Sequence, residues 1–496
     1  MTIHIKKSHS IKMQKITALS LCAIIVISLL SLSVSYASET SVQEQTTERV
    51  KVGKITQWFT ANGMKVLYQQ AASLPMIDFR LIFDAGGARD GSFKSDDGAV
   101  LAGLAKLTNG LIFEGTTELS ANQIAEQFAS MGVEYGNGSY RDMAIINIRT
   151  LSYQQQRDGA LALLAKILAT ASFPEEALQR ESARMLVALD YNDQTPSKKA
   201  SRFFYESLYK THPYGTPPEG NRTSLKAIQQ KDLQAYYKQF YVAKNAVLAI
   251  VGDLTEAQAH DYAEKISTAM PAGEKVAALP AASQSEAAIV VRENHPSTQT
   301  TVLMGQPVLK RGDKDLYALY VGNHILGGSG FSARLMKEVR VKRGLTYSIG
   351  SYLVPMHAQG PYQFSFTTKK SSTEEAIQLV AENLKEFIEQ GPTKEELENA
   401  KLNITGSFPL RQASNQDIVE NLAVIGFYEL PLDYLDKYNE HIEAITLEQI
   451  KSAYKRRVHP EKMATIIVGP DVEPVNKEKE LEEKELKEKV LEESKG

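Results

Sequence analysis

The sequence is nearly free of cysteine, because Cys22 is the only one among 496 residues. If cleavage after Ala37 removes the N-terminal segment, the mature chain can use neither disulfides nor thiol catalysis. Histidine is also scarce, with nine residues, and beyond the N-terminal segment no two of them stand at the spacing of metal ligands. No serine stands in a G-x-S-x-G or Ser-Lys arrangement, so the sequence offers no serine nucleophile.

The chain also lacks a strong charge of either sign. Its formal net charge is −3, with acidic and basic residues interspersed, which gives no basic surface for a nucleic acid. Beyond the N-terminal segment, no apolar run is long enough to span a membrane. The remaining composition is that of an ordinary globular protein, and the length predicts at least two large domains.

Residues 1–37 predict a targeting segment. Four lysines precede an apolar run at 16–34, and Ser35-Tyr36-Ala37 forms a small-x-small cleavage site. This arrangement is typical of a secretory signal peptide, and an uncleaved inner-membrane anchor is the alternative. Export of a cysteine-free chain indicates the periplasm, with membrane contact expected only if the segment stays uncleaved. Residues 38–54 are polar and are predicted to be flexible.

A helix followed by a buried strand occurs twice in the chain, without a gap. Residues 227–253 and 444–470 match at a constant separation of 217 residues, which pairs Tyr237 with Tyr454. A recurrence at this period predicts two duplicated α+β halves rather than a solenoid of short repeats. The predicted boundaries are a first domain at 55–270, an Ala- and Pro-rich linker at 271–288, a second domain at 289–470 and a charged tail at 471–496.

Local signals predict the elements of the first half. Asn62-Gly63 is a hairpin turn between two short strands, and Ser120 begins a helix that Gly132 ends. Further predicted elements are a strand at 76–83, a buried helix at 98–117, a strand at 140–151 and an amphipathic helix at 153–170.

Residues 98–117 read GAVLAGLAKLTNGLIFEGTT. The flanks Gly103-Leu104-Ala105 and Phe113-Glu114-Gly115-Thr116 resemble the surroundings of the H-x-x-E-H motif in the insulinase/pitrilysin (inverzincin) zinc metallopeptidases. In that motif two histidines hold Zn²⁺ and the glutamate is the general base. This chain has Lys106, Asn109 and Gly110 at the three positions, so the motif is degenerate.

The resemblance places the third zinc ligand of the family, a glutamate, on a later helix. There the chain reads Met185-Leu186-Val187-Ala188-Leu189, which is apolar. Every metal ligand is therefore absent, and we expect no metal and no other cofactor in this chain.

The second half retains a different motif. Gly327-Gly328-Ser329-Gly330 leads into S-x-R-L, and Arg343-Gly344-Leu345-Thr346-Tyr347 follows. This pattern strongly resembles the second domain of the same family. The resemblance implies that Arg343 and Tyr347 hold the substrate carbonyl and the developing oxyanion across a cavity from the zinc. The glycine turn is predicted to be a flexible loop that contacts peptide at the mouth of this cavity, a helix C-cap, or both.

Taken together, the resemblance implies an α+β fold of two homologous domains, each a mixed sheet covered by helices, in a clam-shell arrangement. The expected function is a non-catalytic, processing-peptidase-like subunit of an exported heterodimeric zinc metallopeptidase acting on peptides. A zinc-bearing H-x-x-E-H homologue would be its partner, and this chain would be inactive alone. The alternative is a catalytically inert pseudoenzyme that only binds or scaffolds peptides. The retained Arg343 and Tyr347 favour the first hypothesis.

Overall fold

The computed structural model describes residues 54–470. The predicted signal peptide or anchor (1–37), the segment at 38–54 apart from its last residue, and the charged tail (471–496) lie outside the described residues. Within residues 54–470, no helix combines the length and the apolar character needed to cross a membrane.

The described residues contain eleven strands and fourteen α-helices. The strands are β1 (Thr56–Phe59), β2 (Lys65–Gln70), β3 (Met76–Phe83), β4 (Glu134–Ser139), β5 (Ala144–Leu151), β6 (Ala246–Gly252), β7 (Ile289–Asn294), β8 (Thr300–Leu309), β9 (Thr346–Leu353), β10 (Gly360–Thr368) and β11 (Ala464–Gly469). The helices are α1 (Leu104–Gly110), α2 (Ala121–Ser130), α3 (Gln154–Thr170), α4 (Glu175–Asp193), α5 (Pro196–Tyr209), α6 (Arg222–Ala227), α7 (Gln230–Phe240), α8 (Glu256–Thr268), α9 (Leu316–Asn323), α10 (Thr373–Gln390), α11 (Lys394–Ser407), α12 (Asn415–Phe427), α13 (Tyr438–Glu443) and α14 (Leu447–Arg457).

The strands form two mixed sheets with the same topology. The first has the order β1-β2-β6-β3-β5-β4 and the second has the order β7-β11-β8-β10-β9. Within each sheet one pair is parallel, β2 with β6 and β7 with β11, and the other neighbours are antiparallel. Without β1, the two orders are the same permutation of five consecutive strands. The two halves of the chain are therefore homologous, as the repeat predicted.

The repeat itself keeps its register in three dimensions. α7 and β6 in the first half correspond to α14 and β11 in the second, and each helix begins with a capping box, at Gln229 and at Thr446. Tyr237 and Tyr454 occupy equivalent buried positions. The hydroxyl of Tyr237 donates to the Leu168 carbonyl at 2.6 Å, whereas that of Tyr454 lies 3.1 Å from the Tyr362 hydroxyl.

One helix from each half packs against the sheet of the other half. α5 packs against β8 and β11, and α12 packs against β2, β3 and β6. The fit is close, because a Cβ on Gly426 of α12 would lie 2.6 Å from both Leu67 Cδ1 and Val247 Cγ1. Since side chains alternate between the faces of a strand, Leu67 faces α12 while its neighbours Val66 and Tyr68 face the helices of their own half.

A buried carboxylate also joins the two halves. Asp142, in the turn between β4 and β5, is 3% exposed. Its Oδ1 accepts the Tyr214 hydroxyl at 2.5 Å, while its Oδ2 accepts the Tyr428 hydroxyl at 3.0 Å and the His357 backbone N–H at 2.8 Å. Burial, followed by the charge of Asp142, raises the pKa of both tyrosines, so both remain neutral donors.

Several local predictions are confirmed, including the Asn62-Gly63 hairpin, the 76–83 strand and the Ser120 cap. The strand predicted at 140–151 is confirmed as β5, although it begins four residues later, at Ala144, and the sequence does not predict the preceding strand of the hairpin, β4. β4 reads EYGNGS and lies at a sheet edge, so it lacks the apolar alternation that signals a strand. The helix predicted at 98–117 is confined to α1, because Gly103 has φ +93° and the chain leaves the helix at Leu111.

Candidate functional site

The degenerate motif lies on α1, whose start is fixed by a buried acid. Asp90 is fully buried, and its two carboxyl oxygens accept the backbone N–H groups of Gly103 at 2.7 Å and Ala105 at 2.8 Å. Burial raises the pKa of Asp90 to about 8, although these two hydrogen bonds act in the opposite direction. The helix therefore begins at a defined place against the first sheet.

Of the three residues at the motif positions, Asn109 forms hydrogen bonds that hold the fold together. Asn109 is 1% exposed, and its side-chain amide donates to the Ile145 carbonyl of β5 at 3.3 Å. Its own carbonyl accepts the Asn137 amide of β4 at 2.6 Å. Lys106 is half-buried and Gly110 is exposed. Asn109 thus ties α1 to two strands instead of presenting a base to a water molecule.

The surroundings of α1 do not fit zinc. On α4, Met185 and Leu189 are buried among apolar side chains, each 6% exposed. Among residues 54–470, no group of three His, Cys, Asp or Glu side chains is placed to hold a metal ion. An amide, an ammonium group and a glycine cannot replace the nitrogen, sulfur or carboxylate ligands that zinc requires.

An open groove of about 990 Å³ lies beside the motif. Gly110 borders it, together with the loop that follows α1, the N-terminal part of α4 and the residues Tyr135–Asn137 of β4. The loop is held to the α3–α4 junction, since the Gly115 carbonyl accepts the Ser172 N–H and a Cβ on Gly115 would lie 3.0 Å from Pro174 Cγ. β4 is an edge strand, so the sheet leaves its outer backbone groups unpaired.

The glycine-rich segment of the second half lies against β9. It begins in a π-helical turn, His324–Gly328, that continues α9. A Cβ on Gly327 would lie 2.3 Å from Ser351 Oγ, so only glycine fits there, while Gly330 has φ +63°. A second π-helical turn, Met336–Val341, follows. Such turns are frequent at functional sites.

Tyr347 is the second residue of β9, an edge strand, and Arg343 lies in the turn three residues before this strand begins. Tyr347 is 72% exposed and Arg343 is exposed as well. Within residues 54–470, neither side chain has an ion pair or a hydrogen bond to the protein. The pairing of β9 with β10 is irregular here, because Ile349 pairs with Phe366 but Thr346 pairs with Thr368. This bulge is of the kind that re-aims a side chain.

Thr346 fixes the bulge. Its hydroxyl contacts the Thr367 carbonyl at 2.6 Å and the Ser348 carbonyl at 2.8 Å, and accepts the Ser348 N–H at 3.2 Å. Arg343 and Tyr347 thus lie at the start of β9, whereas Gly327 of the glycine turn packs against Ser351, four residues beyond Tyr347 on the same strand. Within residues 54–470, no hydrogen bond or ion pair joins them to Lys106, Asn109 or Gly110.

Comparison with known proteins identifies the surrounding fold. The family described as "Insulinase (Peptidase family M16)" matches residues 79–221, and "Peptidase M16 inactive domain" matches residues 227–404. A crystal structure of a peptidase M16 inactive domain from Pseudomonas fluorescens is 38% identical, with a TM-score of 0.80 over 84% of this chain and 98% of that chain. The chain belongs to the M16 peptidase family.

Two other M16 relatives have informative names. An "Uncharacterized zinc protease" of Rickettsia bellii is 27% identical over 76% of this chain and 89% of its own length. The "Non-peptidase homolog YmxG" of Helicobacter pylori is 28% identical over 79% of this chain and 88% of its own length. With no zinc ligands at α1, the described residues fit an inactive M16-like protein.

The M16 fold also explains a signal that the sequence analysis missed. Residues 131–140 read MGVEYGNGSY and residues 343–352 read RGLTYSIGSY, so five of ten positions are identical. Both segments turn at a glycine of positive φ, Gly132 at +67° and Gly344 at +64°, and then form an edge strand. Alignment of the chain with itself at a separation of 212 residues finds this second repeat.

Proposed function

We propose that this M16 chain is the non-catalytic subunit of an exported heterodimeric zinc metallopeptidase. An H-x-x-E-H homologue provides the zinc and the general base, and this chain provides Arg343 and Tyr347 to the substrate carbonyl. One observation carries the proposal. Tyr347 lies exposed on the bulged edge strand β9 and Arg343 lies exposed in the turn before it, both without a partner in the described part of the chain, whereas the motif on α1 has no zinc ligand.

The chemistry of the two side chains suits the role. A guanidinium is permanently charged and a phenol is a neutral donor, so both can stabilise negative charge as it develops on a carbonyl oxygen. Neither group requires a metal in its own chain, and both can act on a peptide that a partner subunit holds.

The groove beside β4 supports peptides as the ligand class. The outer backbone donors and acceptors of an edge strand pair readily with an extended chain. β4 has polar and glycine residues rather than a bulky apolar face, and the groove next to it is open along Tyr135–Asn137. An unfolded peptide can add to β4 and run past Gly110.

The proposed cellular location depends on the sequence of residues 1–37. Their signal-peptide pattern supports export to the periplasm, and an uncleaved segment would leave the chain anchored in the inner membrane.

A scaffolding pseudoenzyme is the second candidate. The name of the Helicobacter pylori relative, a non-peptidase homologue, favours it, as does the recurrence of a tyrosine at the equivalent place in the first half, Tyr135. A pure scaffold needs no arginine at position 343, where the first half has Met131. The arginine is therefore the residue that separates the two candidates.

Peptide hydrolysis tests the proposal. The purified mature chain is assayed alone, and again mixed with an H-x-x-E-H homologue that co-purifies with it, with zinc counted in each sample. We expect the mixture to be more active than the homologue alone, and this chain alone to be inactive. Arg343→Ala or Tyr347→Phe should remove the gain in activity that mixing gives. Lys342→Ala and Tyr352→Phe are matched controls, because both residues are exposed neighbours in the same segment. No gain on mixing, or a gain that survives both substitutions, would favour scaffolding.

A further inference from the structure

A second cavity lies at the other end of β4 from the groove. It encloses about 300 Å³ between α4, α5 and the loop Gly215–Gly220. Four of its lining residues carry positive charge and one carries negative charge: Arg141, Lys198, Lys199 and Arg202 against Glu219. Nothing in the M16 comparison assigns a function to it.

Arg141 forms the wall nearest to β4. Its Nη1 donates to the backbone carbonyls of Tyr214 at 2.6 Å and Thr216 at 3.0 Å, and its guanidinium lies 3.6 Å from the centre of the Tyr205 ring. The group is therefore held rigidly. Within residues 54–470 it forms no ion pair, and only the longer-range charges of Glu219 and Glu206 oppose its own, so burying the guanidinium is costly.

The other cations of the cavity differ in their pairing. Lys199 binds Glu293 at 2.5 Å and Arg202 binds Asp193 at 2.8 Å, so their charges are largely matched. Lys198 is exposed and has no ion pair with any described residue. Arg141 and Lys198 thus lack an ion-pair partner among the described residues, while Glu219, exposed in the same wall, and Glu206 act on Arg141 by charge without contacting it.

The position of the cavity relates it to the peptide groove. The groove is lined by Tyr135–Asn137 in the middle of β4, and the cavity is lined by Ser139, the last residue of β4, and by Tyr140 and Arg141 in the turn that follows. At about 3.3 Å per residue, a peptide that pairs with β4 beside Gly136 reaches Tyr140 within about four residues. Its end, or a side chain near its end, then meets the guanidinium of Arg141.

We propose that this cavity binds a carboxylate of a peptide that lies along β4, either the C-terminal carboxylate or an acidic side chain. The proposal deepens the proposed function, on which it rests for a peptide at β4, by naming the substrate class as peptides with a carboxylate at that end. A fixed guanidinium with free donors binds a carboxylate by charge-assisted hydrogen bonds, and Lys198 adds attraction at the mouth.

Fluorescence anisotropy with the purified mature chain alone tests the inference. The probe is a labelled peptide of about seven alternating serine and threonine residues, enough to cover β4. Three forms separate the sources of the carboxylate: a free C-terminus, an amidated C-terminus, and an amidated form with glutamate next to last. We expect at least one carboxylate form to bind about tenfold more tightly than the plain amide, which equals about 1.4 kcal/mol.

Variants place the interaction. Lys198→Glu should remove most of the preference and Glu219→Gln should strengthen it, and neither change disturbs an ion pair in the described residues. Arg141→Gln should abolish the preference but also loosens the Tyr214–Thr216 turn, so its circular dichroism spectrum is recorded. Equal binding of all three peptides, preference unchanged in Lys198→Glu and Arg141→Gln, or binding of inorganic phosphate without any peptide would overturn the inference. Because the anisotropy assay contains no partner subunit, its result does not depend on whether the mixture with the H-x-x-E-H homologue hydrolyses peptides.

Discussion

Tyr347 occupies on β9 the position that Tyr135 occupies on β4, three residues after a glycine of positive φ in each half. Their environments differ. Tyr135 packs against Phe113 and Phe128, with ring centres 4.9 and 4.5 Å apart, whereas Tyr347 is 72% exposed. The duplication explains why a tyrosine stands at this position, and the exposure and bulge are particular to the second half.

The exposure of Tyr347 leads to a prediction on its hydroxyl. Tyr347→Phe removes a donor that has no partner in the described structure, so the free energy of unfolding should change by less than about 0.5 kcal/mol. If the hydroxyl stabilises an oxyanion, kcat of the mixed complex should fall by about 10²-fold or more. Tyr352→Phe, at an exposed tyrosine of the same strand, is the matched control and should leave kcat within about twofold, because its hydroxyl is not assigned to the oxyanion. Equal losses in both variants would contradict the assignment.

The Asp142 cluster predicts a cost at the junction of the halves. Tyr428→Phe removes one hydrogen bond to a buried carboxylate and should destabilise the chain by about 1.5–3 kcal/mol. Asp142→Ala leaves the Tyr214 hydroxyl, the Tyr428 hydroxyl and the His357 N–H without their acceptor and should cost more. Urea denaturation followed by circular dichroism measures both. Tyr153→Phe, at a residue 59% exposed, is the control, and a loss no larger than its own would show that the cluster is dispensable.

Asp90 predicts a dependence of stability on pH. Its pKa is raised from 3.8 to about 8 by burial, so the folded chain binds a proton that the unfolded chain has released. The contribution is therefore fully present below about pH 4 and is lost as pH rises through about 8, with a slope that approaches about 1.4 kcal/mol per pH unit between them.

Comparison with Asp90→Asn isolates the pH-dependent contribution of Asp90 to the free energy of unfolding. The asparagine does not titrate, so the stability of the native chain relative to the variant should fall as pH rises from 5 to 8. Urea midpoints of both proteins at each pH give the difference. A constant difference, or one that grows with pH, would show that Asp90 is ionised in the folded chain, held by the Gly103 and Ala105 N–H groups.

The sequence predicts the duplicated architecture because the signal is local and occurs twice. In each copy a capped helix leads into an apolar strand that ends at glycine. The sequence does not predict β4, because an edge strand needs no apolar face. It does not predict the cluster around Asp142 either, because the members of this cluster are up to 286 residues apart in the chain. The exchange of α5 and α12 between sheets is also hidden, since the apolar residues of a helix do not specify which sheet it covers. Arg343 and Tyr347 are found by motif, whereas the bulge that presents Tyr347 depends on pairing with β10.

The exchanged helix α12 supports a prediction from two glycines. A Cβ on Gly426 would lie 2.6 Å from Leu67 and Val247 in the first sheet, so Gly426→Ala must push α12 off the sheet or displace both side chains, at about 1–3 kcal/mol. Gly406 lies exposed in α11, and a Cβ there would meet nothing within 4 Å, so Gly406→Ala should instead stabilise the chain by about 0.5–1 kcal/mol. The same substitution in two helices thus has opposite signs, because one glycine is needed for contact between the halves and the other is not. Thermal denaturation of both variants gives the signs directly, and a stabilising Gly426→Ala would mean that α12 does not rest on the first sheet as described.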